Sequence, residues 1–542
     1  MDMKKKIRLA LCAAALVCGV VAQTPVGGIP SALPETTAGD GGQLVQSLPE
    51  TTAGDGGQLV QSLPETATGD GGQLVQSLPE APAGDGGQLV QSLPETAAGD
   101  GGGLVQSLPE AWAEESDLLV QTLPVEDGWW LVFGDEGLDS LIRLAMQRNL
   151  SVDGALSRME QARRNWRIEQ GNLLPSVGIG GGWTRQQSSG NTGSAASWSG
   201  QYNLTASMQW ELDLFGGIRS KVRAQRELFR ASEEEYRGVM VSLCAEVASA
   251  YFQLRQYQQE LEVLTHNSAS QLEVVRLTEA RNRSGLASKL DVAQARQVYY
   301  GTLAQLPGVE ANVVATMNRL AVLLGQYPQD VKAGLERAEP LPEYVEPVGI
   351  GVPAALLRRR PDVRQAERQV DAQASLLGAA KREWLPRFFL DGSIGFASTE
   401  ISDLPRAGSL AWEVAPSMSW TVFNGGQRLN SVALNRAQLD EAIAAYNLTV
   451  LQAVQEASDA MAAYSLSVKQ IVAVRQAFEQ SRTALSLSLD LYKQGLTTFQ
   501  SVLDAQRTLL SSEESLVQAR GGSLLSLVKM YKALGGGWES PL

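Results

Sequence analysis

The sequence predicts an α+β membrane protein in which long helices carry β-hairpins and in which one structural unit occurs twice. Three observations indicate this fold class. Apolar residues recur every three or four positions over long stretches, four other segments alternate apolar and polar residues, and both patterns appear in the same order in each half of the chain. Together they predict long helices, two hairpins and an internal duplication.

The first 22 residues have the features of a secretory signal peptide. Basic residues within 4–8 precede an apolar stretch over 9–22, which is too short to span a bilayer. Small residues ending at Ala22 favour cleavage after that position. Lipidation of Cys18 is the alternative, although Val17 occupies a place where lipoprotein signals carry Gly, Ala or Ser.

Residues 23–127 form an acidic segment dominated by a tandem repeat of 15 residues. Five copies contain the sequence Leu-Val-Gln-Ser-Leu-Pro, and a divergent copy at 119–124 closes the array. The segment holds 16 acidic residues and no Lys or Arg, and each unit offers only two Leu and one Val to a core. We therefore expect an extended, flexible tether. A calcium-binding repeat is the alternative, but one or two carboxylates per unit do not supply a full ligand set.

The remaining body is electrically balanced, with 42 acidic and 41 basic residues after position 127. It offers no basic surface for nucleic acid, so no nucleic-acid partner is expected. His266 is the only histidine of the chain, which excludes a metal centre built from several histidines within one chain. No Gly-Lys-Ser/Thr phosphate loop is present. We expect neither a cofactor nor an enzymatic activity.

Long helices with coiled-coil seams are predicted in both halves of the body. From Leu243 to Leu264, and again from Val450 to Ile471, apolar residues are spaced alternately by four and three positions. Residues 219–284 contain no Pro, which at about 1.5 Å per residue predicts a rod of roughly 100 Å. Cys244 lies beside the first seam and is expected in the core.

Four segments show the alternation of strands that have one apolar and one polar face. The clearest are 201–212 and 410–422, and weaker partners at 177–183 and 388–396 each follow a Leu-Pro pair. Such strands, with aromatic residues near their ends, are typical of membrane β-barrels. Four strands cannot close a barrel, so two chains with eight strands or three with twelve must share one; a small soluble β-sandwich is the alternative. The residues predicted to face lipid are Tyr202, Met208, Trp210, Trp412 and Trp420.

The two halves, 128–345 and 346–538, repeat one order of elements. Each begins with a helix and continues through a hairpin (174–213 and 385–423) into long helices (219–325 and 427–534). Each also turns at a glycine, Gly285 in the first half and Gly495 in the second. A glycine there permits the positive φ that a tight turn between antiparallel helices requires.

Five motifs in this order resemble the TolC family, in particular the outer-membrane channel components of tripartite RND efflux systems. The resemblance covers about residues 138–538 and rests on 210–216 (Trp-Glu-Leu-Asp-Leu-Phe-Gly), 357–367, 422–426, 495–506 and 534–538. It implies a homotrimer in outer-membrane lipid that shares a 12-stranded β-barrel, continuous with an α-helical barrel in the periplasm. It further implies two partners, a periplasmic adaptor (membrane fusion) protein and an inner-membrane RND pump.

The function that this resemblance implies is a passive exit duct for small molecules such as drugs, driven by the pump. A duct for type I protein secretion is an alternative within the same family. A trimeric coiled-coil surface scaffold that does not conduct is an alternative from another class. Ion conduction by the purified protein in planar bilayers distinguishes the ducts from the scaffold.

The resemblance also places the second helical turn at the periplasmic entrance of the channel. It assigns Asp504 to a ring of carboxylates that attracts cations, and Tyr492 to the contacts that hold the entrance shut. Asp291, after the first turn, is a second candidate for such a ring. Thr497 and Ser501 stand where some relatives carry Arg and Asp, which predicts a looser closure. The alternative for both aspartates is an exposed carboxylate near a helix start, stabilised by the helix dipole.

Deletion of residues 40–109 is predicted to leave trimerisation and transport nearly unchanged. The composition of this segment cannot offset the entropy cost of ordering it, so we expect no structural element to depend on it. Size-exclusion chromatography and drug susceptibility of the expressing cells measure the two properties. A deletion variant that no longer assembles would show that the segment is structural.

Overall fold

The computed structural model describes residues 119–120, 128–191, 197–342, 344, 348–349 and 359–536. All of these residues lie in one compact unit, Ala97–Leu542. The predicted signal peptide, Cys18 and the first five repeat copies lie outside the described residues, whereas the first two residues of the divergent copy lie within them.

Within these residues the chain forms long helices around one four-stranded sheet. The helices are α1 (Glu136–Arg148), α2 (Leu150–Gly171), α3 (Gly217–Arg283), α4 (Lys289–Leu303), α5 (Leu306–Leu323), α6 (Pro328–Leu335), α7 (Pro361–Arg382), α8 (Gln427–Lys493) and α9 (Phe499–Ala533). The strands are β1 (Leu119–Val120), β2 (Ser176–Gln187), β3 (Trp198–Leu212), β4 (Val348–Gly349), β5 (Arg387–Ser398) and β6 (Leu410–Ser419). Short 3₁₀ turns occur at Trp129–Phe133, Ile401–Asp403 and Ala407–Ser409.

Three pairs of equivalent elements in the two halves have equal lengths, although β3 has 15 residues and β6 has 10. Helices α2 and α7 each contain 22 residues, strands β2 and β5 each contain 12, and helices α3 and α8 each contain 67. The chain thus contains the same helix, hairpin and long helix twice, as the sequence predicted.

The sheet has the order β2-β3-β5-β6, and each neighbouring pair is antiparallel. Directly opposed residues share a face, so the register decides which side chains lie together. Met208 lies opposite Val177 and Gly392, whereas Ser207 lies opposite Gly178 and Ser393. The sheet therefore has an apolar face, which contains Met208, and a polar face, which contains Ser207. Strands β2 and β6 each have one edge without a partner among the described residues.

The last strand is shorter than the sequence predicted. The alternation extends to Val422, but β6 ends at Ser419, and Trp420 lies just beyond the strand. The strand ends here because its partner β5 begins at Arg387, opposite Ser419. Beyond Ser419 two polar groups have partners outside the sheet. The Arg428 guanidinium donates to the carbonyl of Thr421, and the Trp420 indole donates to the carbonyl of Trp384 over 3.0 Å.

A glycine with a positive φ connects each hairpin to its long helix. Gly216 precedes α3 with φ of 77°, and Gly426 precedes α8 with φ of 82°. The carboxylate of Asp213 accepts hydrogen bonds from the first backbone N–H groups of α3, at 3.1 Å from Ile218 N and 2.8 Å from Arg219 N. These groups have no partner within the helix, so Asp213 stabilises the helix start.

The predicted seams form the cores of the helical body. Leu243, Val247, Ala250 and Leu254 are at most 5% exposed. They belong to a main core that also contains Trp129, whose ring stacks on Tyr531 at 5.2 Å between ring centroids. Cys244 is buried in this core, as predicted, and burial raises the pKa of its thiol to about 12. None of the described helices is both long and apolar enough to cross a bilayer.

Arg360 ties the start of α7 to two other helices. Its guanidinium donates to the carbonyl of Ala533 near the end of α9 over 2.9 Å, and pairs with Asp362 at 2.6 Å and with Glu456 of α8 at 2.7 Å. The side chain is buried although it is charged. Such a buried cation is tolerated because its donors are satisfied.

The two faces of the sheet are predicted to respond differently to the same substitution. Met208→Arg should impair assembly by about 2–4 kcal/mol per chain if Met208 lies near the bilayer centre, whereas Ser207→Arg should mainly alter conductance. Thermal stability of the assembled protein and single-channel recording measure the two effects. Equal tolerance of Arg at both positions would contradict the assignment of the faces.

Candidate functional site

Two turns between antiparallel helices, one in each half, form the candidate site predicted from the sequence. After α3, Leu286 N donates to Arg281 O over 2.8 Å and Gly285 N donates to Asn282 O over 3.0 Å. After α8, Leu496 N donates to Leu491 O over 2.9 Å and Gly495 N donates to Tyr492 O over 3.0 Å. Both turns are therefore Schellman motifs with the same hydrogen bonds.

The backbone conformation of these turns explains the two glycines. Gly285 has φ of 75° and Gly495 has φ of 76°. A Cβ atom at either position would meet no other atom within 4 Å, so lack of space is not the reason for glycine. The positive φ is the reason, because a side chain makes that conformation unfavourable.

Tyr492 lies in a buried group that we call the tip cluster, and its side chain is only 5% exposed. Its ring centroid lies 5.3 Å from that of Phe499, and the Arg281 guanidinium lies 4.6 Å above the ring. Burial raises the pKa of Tyr492, and the positive charge of Arg281 opposes that shift, so the phenol is neutral near pH 7. The tip cluster consists of Val274, Val275, Ala295, Tyr492, Phe499, Val502 and Leu503.

Arg281 joins the two helical turns within one chain, and its role was not evident from the sequence. Besides covering the Tyr492 ring, Arg281 donates from Nη1 to the carbonyl of Lys493 over 3.2 Å. It thereby satisfies a carbonyl at the end of α8, which has no partner within that helix. The available signal was a basic residue at the end of the α3 pattern, but such residues commonly interact with their own helix end.

Asp504 is exposed on the second turn of α9. Its Oδ1 accepts a hydrogen bond from Gln500 Nε2 over 2.9 Å. The hydroxyls of Thr497 and Ser501 lie 3.1 Å apart, with Thr497 Oγ1 donating to Ser501 Oγ. The Asp504 carboxylate is therefore exposed to solvent and accepts its side-chain hydrogen bond from a neutral group.

Asp291 has a different environment. Its Oδ2 accepts from Ser288 N over 2.9 Å, and its own N donates to Ser288 Oγ over 3.1 Å. This reciprocal pair is a capping box at the start of α4. The two aspartates therefore differ in their contacts. Asp291 caps the start of α4, whereas Asp504 accepts a hydrogen bond from Gln500 within α9. Within the described residues, no group of three or more His, Cys, Asp or Glu could hold a metal ion.

The predicted lipid-facing residues lie on one face of the sheet or next to it. Tyr202 packs on Trp183 at 6.2 Å between centroids, and Trp412 is 73% exposed. Trp210 donates from its indole to Leu173 O over 2.9 Å, which corresponds to the bond between Trp420 and Trp384 in the second half. Each tryptophan thus anchors its hairpin to the segment that precedes Leu-Pro.

The model of the family described as outer membrane efflux protein matches residues 141–326 and 352–536, one match in each half. The chain belongs to the outer membrane efflux protein family. This efflux protein is 33% identical over 419 residues to the probable efflux pump outer membrane protein TtgC of Pseudomonas putida, with 76% of this chain and 86% of TtgC covered. It is 30% identical over 411 residues to the outer membrane protein OprJ of Pseudomonas aeruginosa, with 75% and 85% covered.

A solved structure has the same fold. The outer-membrane channel OprN superposes with a TM-score of 0.76 at 31% identity, covering 81% of this efflux protein and 99% of OprN. The recognised family and the predicted fold class are therefore confirmed, since the chain has the duplicated α+β fold of TolC-like outer-membrane channels. The efflux protein is located in the outer membrane and extends into the periplasm.

Arg281→Ala is predicted to loosen the tip. The variant loses the contact with the Tyr492 ring and the bond to Lys493, which together contribute about 1 kcal/mol. Hydrogen exchange of residues 485–500 should become about fivefold faster. Arg283→Ala, at an exposed position of the same helix end, serves as the control. Equal acceleration in both variants would contradict a specific role for Arg281.

Proposed function

We propose that this efflux protein is a passive exit duct, in which three chains share one 12-stranded barrel and one helical barrel. Small molecules such as drugs enter at the helical tips in the periplasm and leave through the barrel. An inner-membrane pump of the RND class supplies the energy, and a periplasmic adaptor connects the two. The comparisons support the efflux role, because TtgC is named as an efflux pump outer membrane protein.

The observation that carries the proposal is the sheet, whose two edges have no partner among the residues that the structure describes. Backbone N–H and C=O groups cannot remain unpaired in hydrocarbon, where no water replaces the missing partner. Pairing β6 of one chain with β2 of the next satisfies both edges at once. Three chains then give twelve strands, enough to leave a channel, whereas the eight strands of two chains would have an interior filled by side chains.

Helix α8 supports the same association. In the single chain its buried residues, such as Ala453, Ala457 and Met461, cover one side of the helix. Several leucines on other sides are 56–62% exposed. A helix with apolar residues on more than one side requires more than one packing partner, which neighbouring chains provide. These leucines are Leu429, Leu434, Leu448, Leu451, Leu466 and Leu487.

The polar face of the sheet fits the wall of a passage for solutes. Asn203, Thr205, Ser207 and Gln209 share this face of β3. In a closed barrel the apolar face meets lipid, so the polar face must line the interior. The same face also carries the carboxylates of Asp391, opposite Gln209, and Glu413, opposite Ser393. A wall of hydroxyl, amide and carboxylate groups offers hydrogen bonds to solutes of varied structure.

At the entrance, threefold symmetry repeats Asp504 around one axis. Three exposed carboxylates near the axis would attract cations and disfavour anions. Asp291 contributes less to this ring, because its carboxylate accepts a backbone hydrogen bond in the capping box. Tyr492 and Arg281 stabilise the turn at Gly495, which precedes the helix that carries Asp504.

Conductance in planar bilayers tests this proposal. The purified protein should form trimers that conduct ions, and Asp504→Asn should lower the cation-over-anion permeability ratio by about twofold and weaken block by divalent cations. Glu479→Gln, which removes the same charge from an exposed position of α8, should have a smaller effect.

A trimer that does not conduct would contradict the duct and favour a scaffold. Conduction with unchanged selectivity in Asp504→Asn would contradict the entrance ring alone.

A further inference from the structure

A single charged side chain lies on the apolar face of the first hairpin. Residues 176–209 contain only one charged residue, Arg185. In the register of β2 and β3, Arg185 lies opposite Gly200, two residues beyond the pair formed by Trp183 and Tyr202. Alternate residues of a strand share a face, so Arg185 lies on the same apolar face as Trp183.

This arginine lies near the end of the hairpin that is farthest from the helices. Strand β2 begins after α2 and ends at Gln187, opposite the first residue of β3. Because the helices extend into the periplasm, this end of the hairpin belongs to the outer leaflet. Tyr202 and Trp210 share the apolar face and are eight residues apart, about 26 Å along the strand or about 20 Å of depth at the usual tilt. The two aromatic residues thus flank the apolar band, and Arg185 lies beyond Tyr202 at the level of the lipid headgroups.

Two groups with N–H donors lie near each other at this level. The Arg185 guanidinium lies 5.2 Å from the centre of the Trp198 ring, which holds the side chain against the sheet. A Cβ atom at Gly200 would lie 3.8 Å from Trp183 Nε1, so the indole N–H lies over the residue opposite Arg185. Within the described residues, neither the guanidinium nor this indole N–H has a hydrogen-bond or ion-pair partner. Both donors are therefore available to a ligand from outside the chain.

The second hairpin differs at the same end. Its strands β5 and β6 are joined by a segment in which Arg406 pairs with Asp403 at 2.7 Å. Glu400 adds a further carboxylate to that segment. The positive charge of Arg406 is thus neutralised within its own hairpin, whereas that of Arg185 is not.

We propose that Arg185, together with the indole N–H of Trp183, binds the phosphate of an anionic lipid headgroup in the outer leaflet. A guanidinium suits this ligand because it donates two parallel hydrogen bonds to phosphate. The acyl chains of the same molecule would lie along the apolar face between Tyr202 and Trp210, which favours a lipid over free phosphate. The site rests on the proposed function, since the barrel places this face against lipid.

Lipid binding to the purified full-length protein in detergent tests the proposal. Dioleoyl phosphatidic acid and dioleoylglycerol carry the same acyl chains and differ by the phosphate. In native mass spectrometry the protein should bind phosphatidic acid about fivefold more tightly than dioleoylglycerol. Arg185→Gln should abolish this preference and leave dioleoylglycerol binding unchanged, whereas Arg185→Lys, which keeps the charge, should retain most of it. Millimolar inorganic phosphate should not displace phosphatidic acid.

Arg406→Gln is the matched control, because it removes an arginine from the same end of the sheet where a carboxylate already neutralises the charge. It should keep the preference for phosphatidic acid. Equal loss of the preference in Arg406→Gln and Arg185→Gln would overturn the proposal, as would equal loss of both lipids in Arg185→Gln. Displacement by inorganic phosphate would overturn the assignment to a lipid.

The same preparation separates this site from the duct. A wild-type protein that conducts ions but binds the two lipids equally would overturn the headgroup site and leave the duct in place. A wild-type protein that prefers phosphatidic acid but does not conduct would contradict the duct alone.

Discussion

The need to pair every backbone N–H and C=O group in hydrocarbon governs this structure. In the described part of the chain, the sheet has four strands and two open edges, so it cannot exist alone in lipid. Neither a longer hairpin nor a more tightly packed core would give the unpaired backbone groups at these edges a partner. In the proposed trimer the sheets of the other chains meet this requirement, so association would be part of folding rather than a later step. The exposed leucines of α8 likewise indicate that the helical body needs packing partners from outside the chain.

The sheet and the helices are joined so that association in one affects the other. Trp210 and Trp420 anchor the hairpins to the segments before them, and Asp213 stabilises the start of the long helix after the first hairpin. At the end of α7 that is remote from the sheet, Arg360 connects α7, α8 and α9 through one buried guanidinium. The tryptophan side chains have few rotamers, and the Arg360 guanidinium binds its three partners with several donors.

Most of the fold could be predicted from the sequence, because its signals are periodic and local. The alternation around Met208 and the heptads around Val247 predicted both the elements and their faces. The end of β6 could not be predicted, because the partners of Trp420 and Thr421 lie outside the strand pattern. Arg281 was missed for a similar reason. Its contact with Tyr492 joins residues more than 200 positions apart, and no local pattern reports such a distance.

The two halves of this chain contain two turns with the same backbone conformation but different side-chain hydrogen bonds. Ser288 and Asp291 close the first turn with a capping box, whereas the equivalent Thr498 and Ser501 make no such box. In the first copy the carboxylate of Asp291 is therefore used to cap the start of α4. In the second copy Ser501 occupies the position equivalent to Asp291, and the nearest following carboxylate is Asp504, three residues later. One backbone turn that occurs twice in a single polypeptide can therefore begin its following helix with different side-chain bonds.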